Sequence, residues 1–275
     1  MRTNSFNRGI IALVIFVFAA LAATANGQQK LLVIGGGTRP PEAMRKFVEW
    51  SGRAKARILM ITWATAEPEA SFKAFRESLA TLPTAAIENS PAAPLDAEKR
   101  AKFLTQLADA TGVFFSGGDQ NRIMDVLKDV ELLDLIRSKY NAGTPFGGTS
   151  AGAAVMSDPM MTGDADLKIL DGKKVGVRPG LGLVPDVMFD QHFLVRQRHN
   201  RLFGFVMQDP KYLGVGIDED NAVLVTDDRY LTVIGPTGVM FVKAGGKNGE
   251  MTVNFLRNGD RYDLRKRKPI NVRAK

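Results

Sequence analysis

The sequence of 275 residues contains no cysteine and only two histidines. The absence of cysteine excludes disulfides, a thiol nucleophile and a lipid-modified cysteine near the N-terminus. Two histidines without thiols make a poor zinc-binding set, so we expect neither a metal nor another cofactor. Internal repeats and long low-complexity linkers are also absent from the sequence. If the chain is a hydrolase, its nucleophile is therefore not a thiol.

Hydrophobic content and charge narrow the class of protein further. With 45% hydrophobic residues the chain can bury one sizeable core, and we expect a single domain over residues 28–275. The formal net charge is +8, but the basic residues are scattered. The densest basic run, at residues 265–268, has no interleaved aromatics. It predicts a solvated tail and no nucleic-acid partner.

The first 27 residues have the pattern of a cleaved secretory signal. Arg2 and Arg8 form a positive region in front of an apolar segment, residues 10–23, that is short for a membrane span. Small residues at positions 23–27 then offer cleavage sites for signal peptidase. We expect a signal peptide over residues 1–27, a secreted or periplasmic protein, and no stable membrane span after cleavage. An uncleaved membrane anchor is the alternative.

From residue 30 onward, short apolar segments alternate with helical patterns. Strands are predicted at residues 30–34, 57–62, 85–88 and 112–115, and helices at residues 41–50, 68–82, 95–108 and 121–140. This alternation is typical of an α/β fold with a mostly parallel, doubly wound sheet and helices on both faces. The triple glycine at residues 35–37 lacks the spacing of a dinucleotide fingerprint and predicts a tight turn.

The C-terminal part has a different pattern. Residues 162–182 are loop-like and charged, and a helix is predicted at residues 192–208. Short hairpin-like strands follow at residues 214–217, 222–225, 231–234 and 239–242. We expect them to add antiparallel strands to the same sheet or to its edge.

Residues 147–152 contain Gly148-x-Ser150-x-Gly152, the pattern of a serine on a tight turn between a strand and a helix. Small neighbours allow that turn, which exposes the serine hydroxyl. A second polar turn, Ser-Gly-Gly-Asp-Gln at residues 116–120, follows another predicted strand. The loops at the carboxyl ends of parallel strands line one crevice, so both turns should share one rim.

A serine nucleophile needs a neighbouring base, usually a histidine held by an acid. His192 follows an apolar run and is predicted at a strand end, on the first turn of the next helix. His199 lies in the middle of the same predicted helix and is interpreted as a surface residue. The sequence therefore favours His192 as the base.

The third group should be a carboxylate, and two places offer one. Asp218-Glu219-Asp220 ends a predicted strand, where clustered like charges indicate a site. Alternation along the strand sends Glu219 to the side opposite Asp218 and Asp220. Asp164 and Asp166, which lie between the serine and the histidine in the chain, are the alternatives.

Arginines follow His192 closely. Arg196 should share a helical face with His192, while Arg198 and Arg201 are offset around the helix. A guanidinium beside a nucleophile can clamp a substrate carboxylate, although each of these arginines also fits an ordinary helix surface.

Together, these ordered motifs resemble cyanophycinases, serine-type exopeptidases of peptidase family S51, which are related to aspartyl dipeptidases. The resemblance covers about residues 30–225. It implies a fold like that of the class I glutamine amidotransferases. It also implies hydrolysis of cyanophycin, a poly-aspartate with arginine on each β-carboxyl, to β-Asp-Arg dipeptides.

Carried onto this chain, the resemblance implies that Ser150 is the nucleophile, His192 the general base and Glu219 the acid that orients it. The backbone N–H groups of Gly118 and Ala151 would form the oxyanion hole. Further positions that match the substrate cleft are Gln120, Asp190, Gln191, Arg196 and Arg201.

The resemblance leaves alternatives in place. In the dipeptidase branch the acid precedes the histidine, which would favour Asp164 or Asp166. A related dipeptidase with another acidic substrate, or a non-catalytic periplasmic binding protein, would carry the same motifs. The expected partner is an acidic peptide or polymer, and the oligomeric state is left open, with a homodimer among the alternatives.

Overall fold

The computed structural model describes residues 28–166, 168–245 and 249–270, and across them the chain forms a nine-stranded sheet flanked by helices. The signal peptide predicted over residues 1–27 lies outside the described residues. Five of its nine strands are parallel, in the spatial order β1-β5-β4-β2-β3. They are β1 (Lys30–Ile34), β2 (Arg57–Ile61), β3 (Ala86–Asn89), β4 (Gly112–Phe115) and β5 (Phe146–Thr149). Because they are parallel, their carboxyl ends meet at one edge.

Helices cover both faces of the sheet. They are α1 (Pro41–Trp50), α2 (Pro68–Ser78), α3 (Ala97–Asp109), α4 (Gln120–Val126), α5 (Val130–Asn141), α6 (Ala151–Ala154) and α7 (His199–Gln208). One face buries Phe47 of α1 and Phe75 of α2 against Phe114. The opposite face buries α3, α4 and α5, with Phe103 and Ile136 in its core. No helix in the described part of the chain is long and apolar enough to cross a membrane.

Four antiparallel strands extend the sheet beyond β1, in the order β15-β14-β11-β10-β1. They are β10 (Ala222–Thr226), β11 (Tyr230–Ile234), β14 (Arg261–Asp263) and β15 (Lys268–Ile270). The predicted fold class, a mostly parallel doubly wound sheet with antiparallel strands added C-terminally, is confirmed. The basic run at residues 265–268 connects β14 to β15. Most of its side chains are exposed, as expected. Because the run lies between two strands, it belongs to the edge of the sheet and is not the free tail that the sequence predicted.

A second sheet differs from the prediction. It has the order β13-β12-β9-β8 and consists of β8 (Val187–Gln191), β9 (Leu213–Ile217), β12 (Val239–Gly245) and β13 (Glu250–Leu256). Strands β9 and β12, predicted on the main sheet, lie here instead, and β9 is parallel to β8. Their short apolar pattern fits either sheet, because pairing partners are chosen by tertiary contacts and not by the strand's own sequence.

Three local predictions were wrong. The segment expected to be a loop contains a hairpin of β6 (Met160–Ala165) and β7 (Val175–Arg178). The long helix expected at residues 121–140 is two helices, because the Asp129 side chain accepts a hydrogen bond from Leu132 N and caps α5. The helix expected from His192 starts at His199, which is not a plain surface residue, since its ring packs edge-on against Phe193.

Candidate active site

Ser150 stands on a strained turn between β5 and α6. Its backbone has φ 53° and ψ −112°, in a region that non-glycine residues rarely adopt. The Ser150 amide donates a hydrogen bond to Ile34 O over 3.0 Å, which ties the turn to β1. A side chain at Gly148 would place its Cβ 2.2 Å from Gly152 O, so the strand and the helix can approach only with glycine there. The Ser150 side chain therefore projects from the carboxyl edge of the sheet.

His192 lies directly against this serine. Its Nε2 is 2.7 Å from Ser150 Oγ, and its amide donates to Gly35 O over 2.8 Å. A Cβ at Gly36, whose φ is +123°, would lie 2.3 Å from the His192 ring. The loop after β1 therefore packs against one side of the His192 ring. The triple glycine leaves room for that ring and also forms the predicted turn. That role was missed in the sequence, although the glycine run itself marked the place.

His192 also contacts Glu219, which follows β9. The distance between His192 Nδ1 and Glu219 Oε1 is 2.5 Å. The neighbouring acids have other partners: Asp218 Oδ1 accepts from Leu194 N and Val195 N, and Asp220 Oδ1 accepts from Thr38 N. Asp218 and Glu219 thus both bind the segment that begins at His192, Asp220 binds the loop after β1, and Glu219 is the acid that reaches the imidazole.

The alternative acids lie on the β6–β7 hairpin. Asp164 is exposed and contacts the Thr162 hydroxyl at 3.4 Å. Asp166 is also exposed and accepts a hydrogen bond from Lys168 N. The structure therefore brings Ser150, His192 and Glu219 together, while Asp164 and Asp166 contact their own hairpin.

The loop between β4 and α4 passes close to the serine. A Cβ at Gly117 would lie 3.4 Å from Ser150 Cβ, and one at Gly118 would lie 2.2 Å from Ala64 O. Ala151 N belongs to the first residue of α6, where helical amides have no acceptor one turn earlier. Ala151 therefore follows Ser150 directly, and Gly118 follows the glycine that approaches it; backbone amides at such places are the groups that can bind a developing oxyanion.

The environment of His192 favours its neutral form. Burial of the ring lowers its pKa, because an imidazolium is poorly solvated there, and the charges of Arg196 and Arg198 act in the same sense. The hydrogen bond and charge of Glu219 oppose this effect without reversing it. A neutral imidazole beside a hydroxyl can accept its proton, which is the task of a general base.

This pKa sets the expected pH dependence of activity. kcat/KM should fall as the pH drops through the pKa of His192, because an imidazolium cannot take the Ser150 proton. Since folding lowers that pKa, the midpoint of the acid limb should lie below about 6.5, the usual value for histidine. Arg196→Gln should move the midpoint upward, because it removes a charge that lowers the pKa. A pH–rate profile of both proteins measures this, and a wild-type midpoint above about 6.5 would contradict it.

Asp190 and Arg201 bind each other in the interior. Two guanidinium nitrogens of Arg201 donate to the Asp190 carboxylate, and the exposed fractions of these residues are 0% for Asp190 and 2% for Arg201. Arg198 Nη1 donates to Gln191 O over 2.6 Å and lies 3.8 Å from Asp190. Burial, with the nearby Arg201 charge acting in the same sense, lowers the pKa of Arg198 to about 10. Arg198, which was not among the positions matched to the substrate cleft, therefore binds the strand that precedes His192.

This buried pair should be important for stability. Asp190→Asn is expected to lower the free energy of unfolding by about 3–5 kcal/mol, because it leaves Arg201 buried without its anion. Urea unfolding followed by circular dichroism measures the change. Asp125→Asn is the matched control, since Asp125 is an exposed carboxylate paired with Lys128 and Arg178, and the loss of its charge should change stability little. Unchanged stability of Asp190→Asn would show that the pair is not structural.

The other predicted cleft residues differ in exposure. Gln120 Nε2 donates to Met161 O and Thr162 O, at 2.8 and 2.6 Å, and so ties α4 to β6. Gln191 Oε1 is buried and, among the described residues, has no hydrogen-bond partner. Arg196 is exposed, and because the chain is not helical there, it does not share a helical face with His192 as predicted. Arg196 thus presents an exposed guanidinium, whereas the unpaired oxygen of Gln191 is buried.

Comparisons with known proteins agree on one family. The model of "Peptidase family S51" matches residues 31–233. The chain is 33% identical over 256 residues to a cyanophycinase of Trichormus variabilis, with 86% of each chain covered. It is 31% identical over 145 residues to a peptidase E of Shewanella amazonensis, covering 50% of this chain and 59% of the relative. The crystal structure of a peptidase from an acI-B1 Actinobacterium has a similar fold, with a TM-score of 0.68 at 22% identity over 87% of this chain and 98% of the other.

Proposed function

Because the chain belongs to peptidase family S51 and is a serine peptidase, we propose that it hydrolyses cyanophycin to β-Asp-Arg dipeptides. The observation that carries the proposal is the hydrogen-bonded row of Ser150, His192 and Glu219. It occurs in a chain whose similarity to cyanophycinases extends over most of its length.

In the proposed mechanism, His192 Nε2 accepts the Ser150 proton as Oγ attacks the scissile carbonyl. Glu219 accepts the hydrogen bond from Nδ1–H and so fixes the tautomer in which Nε2 is the base. The amides of Gly118 and Ala151 stabilise the oxyanion. The imidazolium then protonates the leaving amine, and His192 activates the water that hydrolyses the acyl-enzyme and restores the Ser150 hydroxyl.

The groups left free around the serine suit this substrate. Each repeat of cyanophycin carries one free carboxylate and one guanidinium. Arg196 supplies an exposed cation four residues after His192, and the buried Gln191 Oε1 has no hydrogen-bond partner among the described residues. The exposed guanidinium of Arg196 can pair with the free carboxylate of such a unit.

The substrate is tested by incubating the purified protein with insoluble cyanophycin and following β-Asp-Arg release by mass spectrometry. Release by the wild type and not by Ser150→Ala would support both the substrate and the nucleophile. An absence of release would reject the cyanophycin proposal. A panel of aspartyl and isoaspartyl dipeptides would then identify the acidic substrate.

An aspartyl dipeptidase is the second candidate, favoured by the similarity to peptidase E. The position of Glu219 after His192 in the chain speaks against it, since the dipeptidase branch has its acid before the histidine. A non-catalytic binding protein would leave a fluorophosphonate probe unreacted, because the probe needs an activated serine. We also propose that the protein acts outside the cytoplasm, which fractionation of the expressing cells would test.

A further inference from the structure

A cavity of about 700 Å³ opens beside the Gly118 loop, outside the row of Ser150, His192 and Glu219. It lies between the segment that follows β2, the loop that follows β3, and helices α4 and α5. The segment after β2 contacts the Gly118 loop directly, because Asp119 N donates to Ala64 O over 2.9 Å. One loop therefore separates the serine from the cavity.

The cavity has the size and walls of a ligand site. Its volume is within the range of about 300–1,000 Å³ that is usual for small-molecule pockets. Trp63, Leu95 and Val126 form much of its apolar lining. Trp63 Nε1 donates to Pro91 O over 3.0 Å, which joins the two loops that enclose the cavity. Such walls can pack against the carbon atoms of an extended peptide.

Among the described residues that line the cavity, one cation has no ion-pair partner. Asp129 is bound by Arg100 at 2.9 Å, and Asp125 is bound by Lys128 and Arg178 at 3.1 and 3.2 Å. Arg122 is exposed, and within the described residues its guanidinium has no ion-pair partner. Since both acids are neutralised by the protein, a charged ligand would meet the positive charge of Arg122. A carboxylate is its natural partner.

We propose that this cavity is a second substrate subsite, in which Arg122 binds a free carboxylate of a peptide or polymer unit outside the dipeptide that is released. The proposal rests on the proposed peptidase function, because it extends that substrate past the Gly118 loop. It means that the protein holds a longer chain at two places. The short product contacts only the first place and leaves easily.

Binding measurements with Ser150→Ala test this, because nothing is cleaved. Isothermal titration with β-Asp-Arg oligomers of one to four units should show affinity rising with length by about five- to tenfold. Arg122→Gln in the same background should remove that gain without changing binding of the single unit. Ala92→Trp, which places a large ring in the cavity from an exposed position, should do the same. Arg45→Gln removes one charge from an exposed helix position away from the cavity and should keep the gain.

The outcomes of these titrations distinguish a wrong subsite from a wrong substrate. If β-Asp-Arg oligomers do not bind at all, cyanophycin is not the substrate, and α-aspartyl peptides of two to six residues take their place in the same titrations. A length-dependent gain that depends on Arg122 would then still support the subsite. A gain that survives in both Arg122→Gln and Ala92→Trp would overturn it. So would the absence of any gain with length in either series.

Discussion

Ser150→Ala should lower kcat/KM by at least about 10³-fold, because it removes the atom that forms the acyl-enzyme. The residual rate would come from the oxyanion-hole amides and from substrate binding alone. The substitution removes one oxygen from a half-buried side chain, so we expect the folded structure and the substrate affinity to persist. Steady-state kinetics and a titration of substrate binding measure the two effects separately.

Ser138→Ala is the matched control, since Ser138 is an exposed serine on α5, on the far side of the strands from the cleft. Its activity should equal that of the wild type. A fluorophosphonate probe should label the wild type and the Ser138 variant but not the Ser150 variant. Near-full activity of Ser150→Ala on every cleaved substrate would show that another group is the nucleophile.

Glu219→Gln should lower kcat by about 10³-fold with little change in KM. The amide keeps the size of the side chain, but its NH₂ group can donate to His192 Nδ1 and favour the tautomer in which Nε2 carries the proton. Such a ring cannot accept the Ser150 proton. Glu219 also raises the pKa of His192, so the acid limb of the remaining activity should move to lower pH.

Asp164→Asn and Asp166→Asn are the controls for the choice of acid. Both residues are exposed on the β6–β7 hairpin and contact only their neighbours there in the described structure, so their substitution should leave kcat nearly unchanged. A large loss of kcat in either control, with near-normal activity of Glu219→Gln, would show that the acid that orients His192 is the substituted aspartate of the hairpin. The pH–rate profiles would show which carboxylate is linked to the titration of His192.

Much of the fold was predictable because it depends on local pattern. The run at residues 30–34 predicted β1 with its observed bounds, and Pro41–Trp50 is the helix that the sequence indicates. Pro at the start of α1 and a buried apolar stripe specify that helix without reference to the rest of the chain. The β6–β7 hairpin was missed because its strands are partly polar and exposed, so they show little of the alternation that marks a half-buried strand.

The same contrast holds for the site. Ser150 was predictable because its turn needs small residues at fixed spacing. The conformation of His192 was not, because its positive φ of 48° is held by contacts from distant segments. These are the hydrogen bond to Gly35 O and the capping of the following amides by Asp218. A helical pattern in the sequence cannot reveal these hydrogen bonds to distant residues, which hold the chain after His192 in a non-helical conformation, so that α7 begins only at His199.

By itself, the sequence determined the α/β class, the serine turn and the shortage of possible bases, since these follow from periodicity, glycine spacing and composition. Only the tertiary structure decided that Glu219 reaches His192 and that Asp190 and Arg201 neutralise each other in the interior. It also decided that Arg122 lines a cavity and, within the described part of the chain, has no ion-pair partner. Each of those facts depends on distances between groups that are far apart in the chain. Such distances depend on how the strands and loops pack, so they cannot be inferred from the order of the residues alone.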